Sequence, residues 1–440
     1  MKETPSPAEN TARYAVTGPA VDLGALLREG ECLPGVPVRI PLSMLAGHGL
    51  VTGGPGSGRT RTLQLMAERL SAHGVPVLLA DPRGELTGVG APGRGGERVE
   101  RRAAETGEEW AGLGFPAEYY ALGGTGPGIP LRATVTGFGP RLLARALGLG
   151  TAAERSLGLL LGYAGSGGGA PATLDDLREV AVRCAGAAGT PATPPAAGGP
   201  PVAAARAVLH SLADPARRGA ARFFGEPEFD PGDLLHTTPE GRGLISVLAL
   251  EGARDRPRLA SAFLMWLLAG VGRMLPDAAE HAAPALVCLV DCAGEGPGPL
   301  AAGDPEPLAG TLRLLGAKGV GVFLVAGAPG ELPPEVLGRL AHRVHLGRPA
   351  RRPVADAAPG AAAGPDLGTG PDLGIGEAVV TSLDERGAPM PPAAVRIRPP
   401  QSLMEPLDVA ELDRVVAGSR LRERYAQPVD NKSPGRPETA

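Results

Sequence analysis

Eight consecutive residues, Gly53-Gly54-Pro55-Gly56-Ser57-Gly58-Arg59-Thr60, have the types and spacing to hold a phosphate. The pattern is Gly-x4-Gly-Lys-Thr with arginine in the lysine position. Glycines let successive backbone N–H groups turn inward around an anion, and a helix starting there adds the positive end of its dipole. An apolar run, Gly49-Leu50-Val51-Thr52, precedes the loop and an amphipathic stretch over 62–73 follows it, the strand–loop–helix setting such a loop requires. The candidate cofactor-binding residues are therefore Gly53, Gly54, Pro55, Gly56, Ser57, Gly58, Arg59, Thr60 and Arg61. Asp81 and Arg83 join them. They lie in Asp81-Pro82-Arg83-Gly84-Glu85-Leu86, after the apolar run 75–80, at the carboxyl end of a strand where α/β sheets bind ligands.

Splitting a nucleoside triphosphate takes more than a cradle. A hydroxyl after the loop lysine and an aspartate ending a neighbouring apolar strand hold Mg2+; here these are Thr60 and Asp291. Arg59 keeps the positive charge, but a planar fork on a longer stem is not a point ammonium. Cys292 stands where a water-orienting carboxylate is expected, and a thiol is a weak hydrogen-bond partner. Glu295, beyond Ala293-Gly294, is the candidate substitute if its loop folds back. The sensor position after the next strand reads Ala326-Gly327-Ala328, without a polar side chain. Three catalytic parts differ at once. A nucleotide and Mg2+ are the expected ligands, and hydrolysis is expected to be weak or absent.

The elements that must position these residues read as α/β. Apolar runs at 75–80, 244–250, 286–290 and 320–325 predict buried parallel strands, and 344–346 a further strand. Helical periodicity marks 141–161, 174–184, 202–212, 258–275, 308–317, 333–342 and 408–425. The boundaries expected are an N-terminal arm over 1–42, with a short helix near 21–28, and a P-loop core over 43–348. Within the core, 91–240 reads as a mostly helical insertion holding a strand pair near 118–122 and 131–135 and a Gly/Pro/Ala loop over 185–201. A low-complexity linker over 349–374 leads to a C-terminal extension, 375–440. That extension carries a hairpin (377–383 with 394–397), a helix and a disordered tail from about 427.

Composition narrows the class. A net charge of −4 gives no global sign of nucleic-acid affinity, although a local basic channel can hide inside it. The 67 glycines and 48 prolines, beside only three lysines, read as a GC-rich coding bias, with low-complexity loops as its structural consequence. Cys32, Cys184, Cys288 and Cys292 form no Cys-x-x-Cys pair, which argues against zinc and against a disulfide framework. With no run of 18 apolar residues and no basic-then-apolar leader, a cytoplasmic protein without a membrane is expected.

Several longer stretches carry a resemblance. They are His48-Gly49-Leu50-Val51-Thr52-Gly53, Thr62-Leu63-Gln64, Gly74-Val75-Pro76-Val77, Ala80 to Leu86, Leu131 to Val135, Phe223-Phe224-Gly225-Glu226-Pro227, Phe263 to Leu268, Ala317 to Val322 and Gly376-Glu377-Ala378. Over about 42–425 the chain resembles the bacterial HerA-like helicase family, in the HerA/FtsK group of P-loop ATPases. The resemblance implies a RecA-like core with a mainly parallel sheet, commonly a hexameric ring, that moves along duplex DNA using ATP and Mg2+. Where the family has lysine, Asp-Glu and Thr-Gln, this chain has Arg59, Asp291-Cys292 and Ala326-Gly327; its later arginines are matched only loosely by Arg348, Arg351 and Arg352. Arg313, Lys318 and Arg339 fit either a DNA channel or a solvated helix face.

Three readings stay open. One is a degenerate HerA-like protein that binds ATP and acts as a weak ATPase or a regulatory subunit. Another is an active DNA translocase. The third is a partner without nucleotide that joins an active paralogue, the assembly being a homo-hexamer or a hetero-complex.

Overall fold

The computed structural model describes residues 14–186, 199–214, 219–277, 282–291, 305–347 and 373–426. Cys292, Glu295, Arg348, Arg351, Arg352, the linker up to residue 372, the tail from 427 and residues 187–198 of the glycine-rich loop lie outside them. The chain divides into two compact units. The first takes Met1–Glu118, Pro231–Leu248 and Leu268–Asp408; the second takes Tyr119–Asp230, Ala249–Leu267 and Val409–Ala440.

Among the described residues twelve strands run in chain order: β1 Ala20–Arg28, β2 Glu31–Pro41, β3 Gly49–Thr52, β4 Val77–Asp81, β5 Ala117–Leu122, β6 Ile129–Leu131, β7 Ile245–Ala249, β8 Leu286–Asp291, β9 Val320–Ala326, β10 His342–Leu346, β11 Glu377–Thr381 and β12 Ala393–Ile397. In the first unit the order is β2-β1-β12-β11-β10-β3-β9-β8-β4-β7. From β10 to β4 the neighbours are parallel. On the other side, β2, β1, β12, β11 and β10 pair antiparallel. This is an α/β sheet with a parallel centre and an antiparallel flank. Every residue of β3, β4, β8 and β9 is buried, so each strand reads as an unbroken apolar run rather than an alternation.

The N-terminal stretch corrects an expectation. Residues 21–28 are strand, not helix, and 20–41 form a hairpin that extends the sheet. Gly24 shows why. A Cβ there would lie 2.0 Å from the Arg396 carbonyl oxygen, so β12 approaches closer than any side chain allows. Asp22 seals the pair by accepting from Arg398 Nε at 3.0 Å.

Three helical stretches also come out broken. The 141–161 stretch is two helices, Val135–Ala146 and Thr151–Tyr163. The 408–425 stretch splits at Gly418 into Val409–Ala417 and Arg420–Tyr425. The 333–342 stretch keeps one turn, Pro334–Leu337, before β10 begins.

The second unit holds the parallel pair β5 and β6 and four helices between residues 135 and 213. Its core is aromatic: Phe138 packs against Phe263 at 4.6 Å and Phe224 at 5.2 Å between ring centroids. The Trp266 indole donates to the Gly137 carbonyl at 3.2 Å. Among the described residues no helix is long and apolar enough to cross a membrane, and no cluster of metal-ligating side chains is found.

Candidate functional site

The site lies in the first unit, where β3 ends and the helix Arg59–Ala72 begins. Gly58 caps that helix at φ 107°, left-handed backbone that a side chain would strain, and this bend turns the loop into the helix. The helix is held from behind by buried polar contacts. Gln64 Nε2 donates to Ser402 Oγ at 2.6 Å and to the Leu403 carbonyl at 2.9 Å. Glu68 accepts from the backbone N–H groups of Gln401 and Ser402, both at 2.9 Å, and from Ser402 Oγ. Burial pushes the Glu68 carboxyl up, and these bonds counter it. The loop itself is latched by the Gly376 N–H, which donates to the Ser57 carbonyl at 3.0 Å.

A cavity of about 690 Å³ opens over the loop. Of the expected residues, Pro55, Gly56, Gly58, Arg59, Thr60, Arg61 and Arg83 line it, joined by Glu85, Gly327, Glu331 and Ile375. Arg59 therefore faces the cavity. The loop fits a phosphate in two respects. A Cβ on Gly54 or Gly56 would meet nothing within 4 Å, so the backbone stands clear. The buried Ser57 Oγ has no hydrogen-bond partner among the described residues. Gly53 serves the loop from beneath: a Cβ there would lie 2.4 Å from Ser57 Oγ.

Asp81 does not reach the cavity. Its buried carboxylate accepts from the N–H groups of Arg83 at 3.1 Å, Gly84 at 2.9 Å and Leu86 at 2.8 Å. It shapes the turn that presents Arg83 and Glu85. Asp81 is thus a scaffold for the site, not one of the residues lining it.

The metal side fits less well than the phosphate side. Asp291, at the end of β8, is buried, and Arg83 Nη2 donates to its Oδ2 at 2.8 Å. Arg83 Nε also lies 3.5 Å from Glu85 Oε1. Thr60 Oγ1 donates to Glu85 Oε2 at 3.2 Å. The two groups expected to hold Mg2+ are thus engaged by a guanidinium and a carboxylate of the chain itself. Thr60 and Asp291 are linked through Glu85 and Arg83 in one run of contacts.

Sequence reading missed Glu331. Four residues beyond the apolar sensor position, its carboxylate accepts from the Gly327 N–H at 2.9 Å and lines the cavity. An acid in the loop after an apolar strand was the available signal. Beside the loop, Thr52 Oγ1 and His345 Nδ1 lie 2.5 Å apart. Burial, and then Arg343, lowers the His345 pKa to about 4. Cys288 is fully buried, its thiol pushed up to about 12 by burial alone. Of the three channel candidates, Arg313 and Arg339 are exposed, and Lys318 pairs with Asp277 at 2.8 Å.

Comparisons with known proteins give a family and a fold. The family model described as helicase HerA-like C-terminal matches residues 27–435. No curated protein matches the chain. Among solved structures, plasmid coupling protein TrwB in complex with the ATP analogue ADPNP superposes with a TM-score of 0.54 at 14% identity. It covers 89% of this chain and 92% of that one. TrwB with the GTP analogue GDPNP gives 0.51 at 15% identity, covering 89% and 92%. TrwB with ADP and Mg2+ gives 0.50 at 15% identity, covering 91% and 95%. At such identities the likeness is one of fold.

Proposed function

The chain belongs to the HerA-like C-terminal helicase family, within the P-loop ATPases, and on that premise we propose that it binds ATP at Gly53–Thr60 but hydrolyses it weakly or not at all. The observation that carries this reading is the pairing of Arg83 with Asp291 at 2.8 Å, beside a loop open to phosphate. Arg59 and Arg61 supply cationic donors to the cavity, while the acid that should face the metal is already neutralised. The nucleotide complexes of TrwB support the choice of ligand. A regulatory role follows: a subunit that holds ATP without spending it reports the nucleotide state to whatever it contacts, be it copies of itself or an active paralogue. Calorimetry with ATP and ADP, followed by a phosphate-release assay, tests it. Micromolar binding, near −8 kcal/mol, with negligible turnover is expected. No heat at millimolar nucleotide removes the reading and leaves the partner without nucleotide.

One observation favours an active translocase instead. Glu85 and Glu331 bring two carboxylates to the cavity, and either is able to orient water where Cys292 cannot. Turnover stimulated by duplex DNA and abolished in Glu331→Gln or Glu85→Gln would establish that reading. DNA binding and a ring of six belong to it, and mass photometry with and without ATP measures the assembly.

A further inference from the structure

A second cavity, of about 500 Å³, adjoins the first and shares Gly58, Arg61 and Ile375 with it. Six guanidiniums line it: Arg61, Arg98, Arg101, Arg102, Arg396 and Arg398. Glu105 is the one carboxylate on the lining. Some of that charge is spent internally. Arg396 pairs with Glu377 at 2.7 Å and Glu105 at 3.0 Å, and Arg398 with Asp22 at 3.0 Å. Arg102 donates to the carbonyls of Gly376 at 3.1 Å and Ile375 at 3.0 Å; its nearest carboxylate is Glu105, at 4.0 Å. Arg61 donates to the neutral Gln64 side chain at 2.9 Å, and Arg98 is exposed with no ion pair among the described residues. A positive field is left at Arg61, Arg98 and Arg102, on the side toward the P-loop. Burial, and after it the charge of Arg396, holds the Arg102 guanidinium below its ordinary range, the condition a bound anion relieves.

Thr62 apart, the rest of the lining has no polar side chain. Ile375 is 57% exposed at the junction of the two cavities, and Pro399, Pro400 and Met404 line the second one. A ligand that fits has a compact anion for the arginines, an apolar body for Ile375 and a second anion for the P-loop. A DNA backbone meets the first demand only. A nucleotide phosphorylated on its ribose meets all three.

We propose that the second cavity binds a phosphate carried on the ribose of a nucleotide whose 5′-phosphates lie in the P-loop cavity. The ligand class is a ribose-phosphorylated adenine or guanine nucleotide, and Arg61 contacts it from both sides. The proposal rests on the P-loop reading above and names the ligand's second end.

Calorimetry on the full chain compares AMP with adenosine 3′,5′-bisphosphate and 2′,5′-bisphosphate, with ATP alongside. One bisphosphate is expected to bind at least tenfold tighter than AMP. In Arg98→Ala/Arg101→Ala, both exposed and Arg101 paired at 3.5 Å with the exposed Glu97, that ratio should fall below threefold with the melting temperature unchanged. Equal affinity of AMP and both bisphosphates overturns the proposal, as does a ratio that survives the double substitution. Displacement of the bisphosphate by a short DNA duplex at equal phosphate concentration assigns the arginines to nucleic acid and also overturns it. No heat with ATP sinks the P-loop reading and the bridge with it, whereas heat with ATP and no gain from either bisphosphate sinks the second site alone.

Discussion

Replacing Arg83 with alanine should make nucleotide binding depend on magnesium. Arg83 Nη2 is 2.8 Å from Asp291 Oδ2, and the Asp291 side chain is only 7% exposed, against 34% for Arg83. A divalent cation taking Asp291 would sit about 4 Å from the guanidinium, a repulsion of about 8 kcal/mol at an effective dielectric near 20. Solvent around the part-exposed arginine screens this to a few kcal/mol. Even about 1.4 kcal/mol is a tenfold change in affinity. In the native chain, therefore, adding Mg2+ should change the ADP affinity by under about threefold, and in Arg83→Ala by tenfold or more. Titration calorimetry in EDTA and in saturating Mg2+ reads both values. Arg83→Gln, which removes the charge while keeping a donor, should follow alanine. The alanine variant also removes the guanidinium paired with the buried Asp291, so a loss of stability is expected, and binding must be read below its melting point. A native chain that already needs Mg2+ for tight binding, with the same dependence in Arg83→Ala, refutes the reasoning.

Other changes test the neighbouring claims. Arg59→Lys with Cys292→Glu and Arg83→Ala together should restore measurable ATP turnover, while the first two changes alone should restore little; silence in the triple variant means the loss extends beyond these positions. His48 and His345 each have a pKa of about 4 in the folded chain, lowered chiefly by burial from 6.5. Each therefore contributes stability that is complete above pH 6.5 and lost as pH falls toward 4, about 3 kcal/mol apiece, so the melting temperature should drop between pH 7 and pH 5; a flat or rising profile contradicts this. Gly24→Val places side-chain atoms against the Arg396 carbonyl and should cost about 3 kcal/mol by denaturant midpoint, whereas a neutral result would show that β1 does not pair with β12.

The parallel centre was legible because burial on both faces writes itself into sequence as a plain apolar run. β4, β8 and β9 need no periodicity argument, and the glycine loop follows β3 in the expected order. β1 escaped for the opposite reason. Its pairing with β2 slips in register between Asp22 and Gly24 and again between Ala25 and Leu26, so no clean alternation survives. Its other neighbour, β12, lies more than 360 residues along the chain, so the close approach that demands Gly24 leaves no local trace. Helix ends failed where one glycine breaks a periodic run, as at Gly418.

The site was legible residue by residue but not as a set of connections. Asp81 and Asp291 look alike in sequence, each an acid closing an apolar strand. One spends its carboxylate on three backbone N–H groups of its own turn, the other on a guanidinium 208 positions away. Counting missing catalytic letters treats each position as independent. In the fold, Thr60, Glu85, Arg83 and Asp291 form one chain of contacts, so the effect of any single letter depends on whether that chain is closed. Arg59 still faces the cavity with a positive charge, and Asp291 is tied to Arg83. The proposed loss of hydrolysis therefore rests on Arg83 as well as on the missing catalytic letters, and Asp81 sets the place of Arg83 in its loop.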